Sequence, residues 1–171
     1  SHNIGIGSEA LRGYSTTVGV QGEYNVAIGY QVMRQAGTSA VVTASRNVAI
    51  GYRVLTANQT GNNNIAMGYD SGLALTTGDA NVLVGYQCGD AITTGSGNVL
   101  IGYKSDVSSA GHHGRLAIQG YDGSTADPIK WIDGDNGTLK TSMNNSGYEL
   151  FTVTDTTIKP GEMDTYTTSY T

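Results

Sequence analysis

Asn64-Ile65-Ala66-Met67-Gly68-Tyr69 decides how this chain is read, because the same six-residue word recurs along it. It stands upstream as Asn25-Val26-Ala27-Ile28-Gly29-Tyr30 and Asn47-Val48-Ala49-Ile50-Gly51-Tyr52. Downstream it returns as Asn81-Val82-Leu83-Val84-Gly85-Tyr86 and Asn98-Val99-Leu100-Ile101-Gly102-Tyr103. Asn3-Ile4-Gly5-Ile6-Gly7-Ser8 is a looser early copy; Arg115-Leu116-Ala117-Ile118 with Gly120-Tyr121 is a late one carrying the extra residue Gln119. The words start at 3, 25, 47, 64, 81, 98 and 115, so the steps are 22 twice and then 17 four times. Equal steps in succession mark a repeat architecture.

Within each word the apolar residues alternate, β-branched types dominate and glycine punctuates the end, which is a strand and not a helix. Strand parity puts Val26, Ile28 and Tyr30 on one face and Ala27 and Gly29 on the other. One face is bulky; the other is small enough for a neighbouring backbone to approach closely. Thr60-Gly61, Thr77-Gly78 and Thr94-Gly95 mark a second turn, preceded by apolar pairs such as Ala74-Leu75 and Ala91-Ile92. Each unit therefore reads as strand, turn, shorter strand, turn, and the 22-residue units add a loop of about five residues near Gln35 to Ser39. A unit this short cannot bury its apolar face alone, but stacking at about 4.8 Å gives it backbone partners and a continuous core. Asparagine at the head of each strand suits a turn and can form amide ladders between rungs. The expected fold is all-β: a parallel β-roll or β-solenoid over 1–121, with a small antiparallel β cap or tail over 122–171.

Composition agrees. Charged residues are 13% of the 171, against about 25% in ordinary domains. The 25 glycines do not fall every third residue, which excludes collagen. A net charge of −5 argues against nucleic acid, and a single cysteine excludes a disulfide framework or CxxC site. No apolar run is long enough for membrane insertion as a helix. The character changes near Arg115: residues 1–114 hold 19 glycines and net −1 (six acidic, five basic), residues 115–171 both prolines and net −4 (eight acidic, four basic). There, short strands are expected at Ile129 to Ile132, Thr138 to Thr141, Glu149 to Thr154 and Thr156 to Lys159, with Asp135-Asn136-Gly137 as a hairpin turn. The thin stack and its small-residue face call for lateral partners, most simply copies of itself.

The tandem word, with Thr-Gly at the following turn, resembles the repeats of bacteriophage fibre and tail-fibre proteins, including those of marine and cyanobacterial hosts. More loosely it is similar to the head repeats of YadA-type trimeric autotransporter adhesins. The resemblance covers about residues 3–121, and the stretch from Asp127 to Leu139 resembles the strand-turn-strand that follows such repeats in phage fibres. It implies a left-handed parallel β-roll, a homotrimer, and a role in adhesion or display on a virion surface, with other virion or fibre proteins and a host glycan or protein receptor as further partners. Many relatives continue into a self-cleaving chaperone domain; here the start without methionine reads as a fragment or processed chain, and Ser1-His2 as a cloning scar.

Candidate chemistry is sparse. Asp133, Asp135 and Asn136 have the oxygen ligands a calcium loop uses, yet a hairpin turn explains the same residues. His112 and His113 lie between glycines, where a threefold axis could gather imidazoles for a metal, but a surface loop is the plainer reading. Cys88 shares its repeat position with Ala10, Val32, Val54, Ser71 and Ser105, which makes it a packing residue. Tyr30, Tyr52, Tyr69, Tyr86 and Tyr103 form one column; exposed it could hold sugar rings, but parity with Val and Ile favours packing. No carboxylate pair recurs, the 17-residue step is not three hexads of an acyltransferase helix, and the calcium nonapeptide is absent. The sequence therefore points away from an enzyme and from any cofactor. The expected function is a trimeric phage-fibre segment that displays loops for host attachment; the alternatives are a capsid decoration or head fibre, and a bacterial cell-surface adhesin or extracellular filament.

Overall fold

In a computed structural model, residues 2–13, 22–34, 43–107 and 109–121 are described in full, with the backbone of three further strands at 129–135, 138–143 and 148–152. Each word forms one strand: β1 (Ile4–Ile6), β2 (Val26–Tyr30), β3 (Val48–Tyr52), β4 (Ile65–Tyr69), β5 (Val82–Tyr86), β6 (Val99–Tyr103) and β7 (Leu116–Gly120). These seven lie side by side in sequence order, all parallel, as a β-solenoid. Registration is word on word, so Gly29 faces Gly51, Gly51 faces Gly68, and Tyr52 faces Tyr69. The 22-residue steps keep this register; the extra loop near Gln35 to Ser39 lies outside the described residues.

The glycine of the word is fixed by the rung beneath it. Gly29, Gly51, Gly68, Gly85 and Gly102 have φ between +114° and +140°. A Cβ at Gly68 would overlap the carbonyl oxygen of Gly85, and the same holds for each successive pair. Three other columns also turn through left-handed backbone, mostly at residues other than glycine. Tyr24, Arg46, Asn63 and Ala80 precede the asparagine; Gln31, Arg53, Asp70, Gln87 and Lys104 follow the tyrosine; Leu11, Met33 and Leu55 come two residues later. Such a conformation costs about 1–3 kcal/mol for an ordinary residue and persists only where its surroundings over-determine it. Here corner N–H groups reach carbonyls of a neighbouring rung: Arg53 to Tyr30, Asp70 to Tyr52 and Ala80 to Asn62 on the preceding rung, each at 2.9 Å, and Met33 to Val54 at 2.8 Å and Leu55 to Ser71 at 3.1 Å on the following one.

The core lies on the small side of the sheet. Ala27, Ala49, Ala66, Leu83, Leu100 and Ala117 are fully buried, whereas the Val, Ile and Tyr positions are half-buried or exposed. This corrects the expectation that the small-residue face calls for lateral partners: that face is the interior of each chain, and the bulky face is its outer surface. The expected shorter second strand does not form among the described residues. Leu75 and Ile92 instead drop from turns into the core, fully buried. Cys88 is buried in the same column as Val32, Val54, Ser71 and Ser105, so its packing role holds.

Beyond β7 the chain reverses. β8 (Ile129–Asp135) pairs antiparallel with β7, β9 (Thr138–Met143) with β8, and β10 (Tyr148–Thr152) with β9. Asp135 pairs with Thr138, so the link between β8 and β9 has the two-residue length of the expected hairpin. Asn136 and the expected strand from Thr156 to Lys159 lie outside the described residues.

Substituting Gly68→Ala places a Cβ against a carbonyl and a side chain in a strained conformation. Urea unfolding of this variant is expected to show a loss of about 2–4 kcal/mol.

Candidate functional site

Two features could do work in this chain: the hydrogen-bonded ladders that hold the rungs, and the outer sheet face they align. The asparagine at the head of each word is buried and uses every polar atom. Asn64 Nδ2 donates to Asn47 Oδ1 at 3.1 Å and to Gly78 O at 2.9 Å. Its Oδ1 accepts both the backbone N–H and the Nδ2 of Asn81, at 2.9 and 3.0 Å. The same set recurs at Asn25, Asn47 and Asn81, and Asn98 continues it. The column ends at Arg115, whose N–H donates to Asn98 Oδ1 at 3.0 Å. The amide ladder expected from sequence is therefore present.

A second ladder escapes sequence reading because its residue type changes at every rung. The N–H of Ser45 donates to Asn62 Oδ1 at 2.9 Å, and that of Asp79 to Ser96 Oγ at 3.0 Å. The N–H of Ser96 donates to His113 Nδ1 at 3.0 Å. The only shared signal is a short side chain with an acceptor, 17 residues apart in the shorter units. Its polarity is opposite to the asparagine ladder: here the earlier rung gives and the later one accepts. His113 thus serves a rung contact, and the His112 carbonyl accepts from Asn98 Nδ2 at 2.8 Å.

The outer face is built by the second, fourth and sixth positions of the words. Across β2 to β6 its three columns hold only Val, Ile, Met and Tyr, with no charge. Five strands at about 4.8 Å and about 13 Å of strand length give a patch of about 300 Å². That is the scale of the largest apolar patch on an ordinary monomer, which often serves a function. Along one margin the tyrosines stack, with centroids 5.2 Å apart for Tyr30–Tyr52 and 4.9 Å for Tyr52–Tyr69 and planes within 18°. Tyr69–Tyr86 and Tyr86–Tyr103 repeat this at 5.2 Å. Their exposure, 37–42% from Tyr30 to Tyr86, belongs to ring edges and hydroxyls, since ring faces are turned to one another. That leaves no open ring face between Tyr30 and Tyr103 for a sugar to stack on, and it agrees with the packing reading. Gln119 takes the glycine register opposite Gly102, so Tyr121 arrives one residue late and tilts by 38° against Tyr103.

Of the metal candidates in the C-terminal part, only the β8 backbone at Asp133 and Asp135 is described. Asp133 pairs with Lys140 across the β8–β9 hairpin, Asp135 with Thr138, and Asn136 is outside the described residues. Among the described residues no group of three His, Cys, Asp or Glu could hold a metal ion, and no helix is long and apolar enough to cross a membrane. Burial pushes the Cys88 thiol up to about 12, so it is not a nucleophile at neutral pH. Two carboxylates depart from their ordinary range: the hydrogen bond from Gln31 and the nearby Arg12 and Arg34 lower Glu9, whereas burial and the adjacent Asp90 raise Asp106 to about 6. The Asp106 oxygens accept the N–H groups of Ala91 and Val107, at 3.2 and 2.8 Å. Compared with protein families, curated proteins and solved structures, the chain has no match.

Removing one rung's amide tests the first ladder. Asn64→Ala leaves the buried Asn81 donors and the Gly78 carbonyl without their partners, and a loss of about 3–5 kcal/mol is expected in chemical denaturation. For Asp106 the folded value exceeds the unfolded one, so protonation stabilises: the contribution is whole below about 3.8 and lost as pH rises through about 6. Melting temperature measured from pH 3.5 to 7 should fall less steeply in Asp106→Asn than in the parent.

Proposed function

We propose that the chain is a structural, non-enzymatic rung stack of a homotrimeric bacteriophage fibre, carried on the virion surface and presenting its loops to the host. The observation that carries this reading is the outer face, flat, regular and without charge from β2 to β6. A face of that kind lies better against a copy of itself than in water, because about 25 cal/mol is gained for each Å² of apolar surface covered. Three copies around a common long axis, each a left-handed roll, bring the three faces together and leave the polar corners and the longer loops of the 22-residue units outside. The antiparallel strands β8 to β10 close one end of each stack, so that β7 offers no bare parallel edge. The tyrosine-bearing word is what ties the trimer to a phage fibre, through the resemblance of the repeat. Trimerisation turns weak contacts at three sets of loops into avidity for a host surface glycan or protein.

Sedimentation equilibrium is expected to give three times the chain mass. Ile50 stands near the middle of the face, half-buried, and Ile50→Lys should yield a monomer that keeps its β-sheet circular dichroism. A parent that sediments as a monomer at micromolar concentration contradicts the trimer.

A further inference from the structure

We infer that Tyr69 and Tyr86 are a site of oxidative cross-linking, where a one-electron oxidant of the haem-peroxidase class, supplied with hydrogen peroxide, joins β4 to β5 through a ring-to-ring carbon bond. Both rings belong to one chain, so the link does not rest on the trimer. In-register parallel strands put each ring carbon about one rung, ~4.8 Å, from its counterpart. The Tyr69 and Tyr86 centroids are 5.2 Å apart, with planes 14° from parallel. Both side chains reach the surface, at 42% and 41% exposure. Their rings therefore have room to turn about the Cα–Cβ bond, and their hydroxyls can release a proton to water.

The five stacked rings are not equal as electron sources. The Tyr30 hydroxyl oxygen accepts from Gln31 Nε2 at 3.2 Å, which draws density from that phenol. The Arg53 guanidinium lies 5.8 Å from the Tyr52 centroid, held in place by the Asp70 carboxylate at 2.9 and 3.0 Å. Lys104 Nζ lies 5.6 Å from the Tyr103 centroid. A cation over a ring opposes the loss of an electron from it, and a contact of ordinary exposed strength corresponds to a bias of about threefold. Among the described residues Tyr69 and Tyr86 have neither kind of partner, and every other neighbouring pair in the column includes a ring that has one.

In the coupling each ring gives up one electron and its phenolic proton. The two phenoxyl radicals combine at carbons ortho to their hydroxyls. The hydrogen on each of those carbons then moves to the phenolic oxygen, which restores both aromatic rings. Two hydrogens leave in all, and one peroxide takes them up as two waters. The product is a covalent tie between rungs that thiols do not reduce, in a chain whose one cysteine is buried and free.

The test treats the full chain in dilute solution with a haem peroxidase and hydrogen peroxide, and reads dityrosine fluorescence and the linked peptides by mass spectrometry. The expected main product is a single chain, two hydrogens lighter, with Tyr69 joined to Tyr86. Tyr86→Phe keeps a stacked ring but has no phenol, and should lower the yield of links within the chain by about threefold or more. Lys104→Gln should raise a Tyr86–Tyr103 link by about threefold. No link, an unchanged yield in Tyr86→Phe, or links spread evenly along the column, chiefly elsewhere in the chain or chiefly between chains, overturn the inference.

Discussion

Everything in this fold hangs on a buried amide that touches its own kind above and below. An asparagine side chain has two donors and one oxygen with two lone pairs. In the column from Asn25 to Asn81 all four are engaged, and each engagement specifies a neighbour one rung away. A slip of one residue would strand a buried donor pair, so the ladder locks the register that the apolar alternation only favours. Once register is locked, the remaining constraints follow. The word's fifth residue falls against the carbonyl of its counterpart and must be glycine. The corners fall where their N–H groups can reach a neighbouring rung, which offsets the cost of left-handed backbone at residues as unsuited to it as Leu55 and Arg53. The opposed polarity of the second ladder gives each rung a distinct upper and lower surface.

Because register is held at the corners, the outer face need not contribute to holding the chain together. It is free to be uniform. The columns through Val26, Ile28 and Tyr30 carry no polar residue to pair and no charge to solvate, and their tyrosines satisfy one another by stacking. A surface of this kind suits lateral association in which contacts recur at each rung and no single residue must be a hot spot.

The architecture was legible because its signal is redundant: five near-identical words at steps of 22 and then 17 residues fix strand, order and register together. Parity also sorted each word into its two faces correctly. What parity does not say is which face a chain turns inward, and the bulk of Val, Ile and Tyr suggests the wrong one. The interior is set by the room left inside so narrow a coil, which admits Ala27 or Leu83 but not a column of tyrosines. The ladder through Ser45, Asn62, Asp79, Ser96 and His113 was invisible because what is held constant there is an acceptor atom and not a residue type. Left-handed corners at Met33, Leu55 and Lys104 had no signal either, since nothing in those side chains favours that backbone. The antiparallel pairing of β8 with β7 could be expected only as a cap of unspecified partners.

The buried side chains of successive rungs are not equivalent, although the words look alike. In the early rungs Ala27 and Ala49 are paired with large residues at the next corner, Met33 and Leu55. From Gly72 onward the corner is emptied, and the space is filled from elsewhere: by Leu55 above, Leu83 below, and Leu75 and Ile92 from the turns. A Cβ at Gly72 would sit 2.7 Å from Leu55 and 2.9 Å from Leu83, so the two schemes mesh at that rung and nowhere else described. Rungs thus fall into two dialects with a single junction. Lengthening such a gene by duplicating a rung is close to neutral within a dialect, whereas copying one across the junction either leaves a hole or forces two leucines into one place. An added or removed rung is therefore expected to cost least away from Gly72, where one packing scheme continues on both sides.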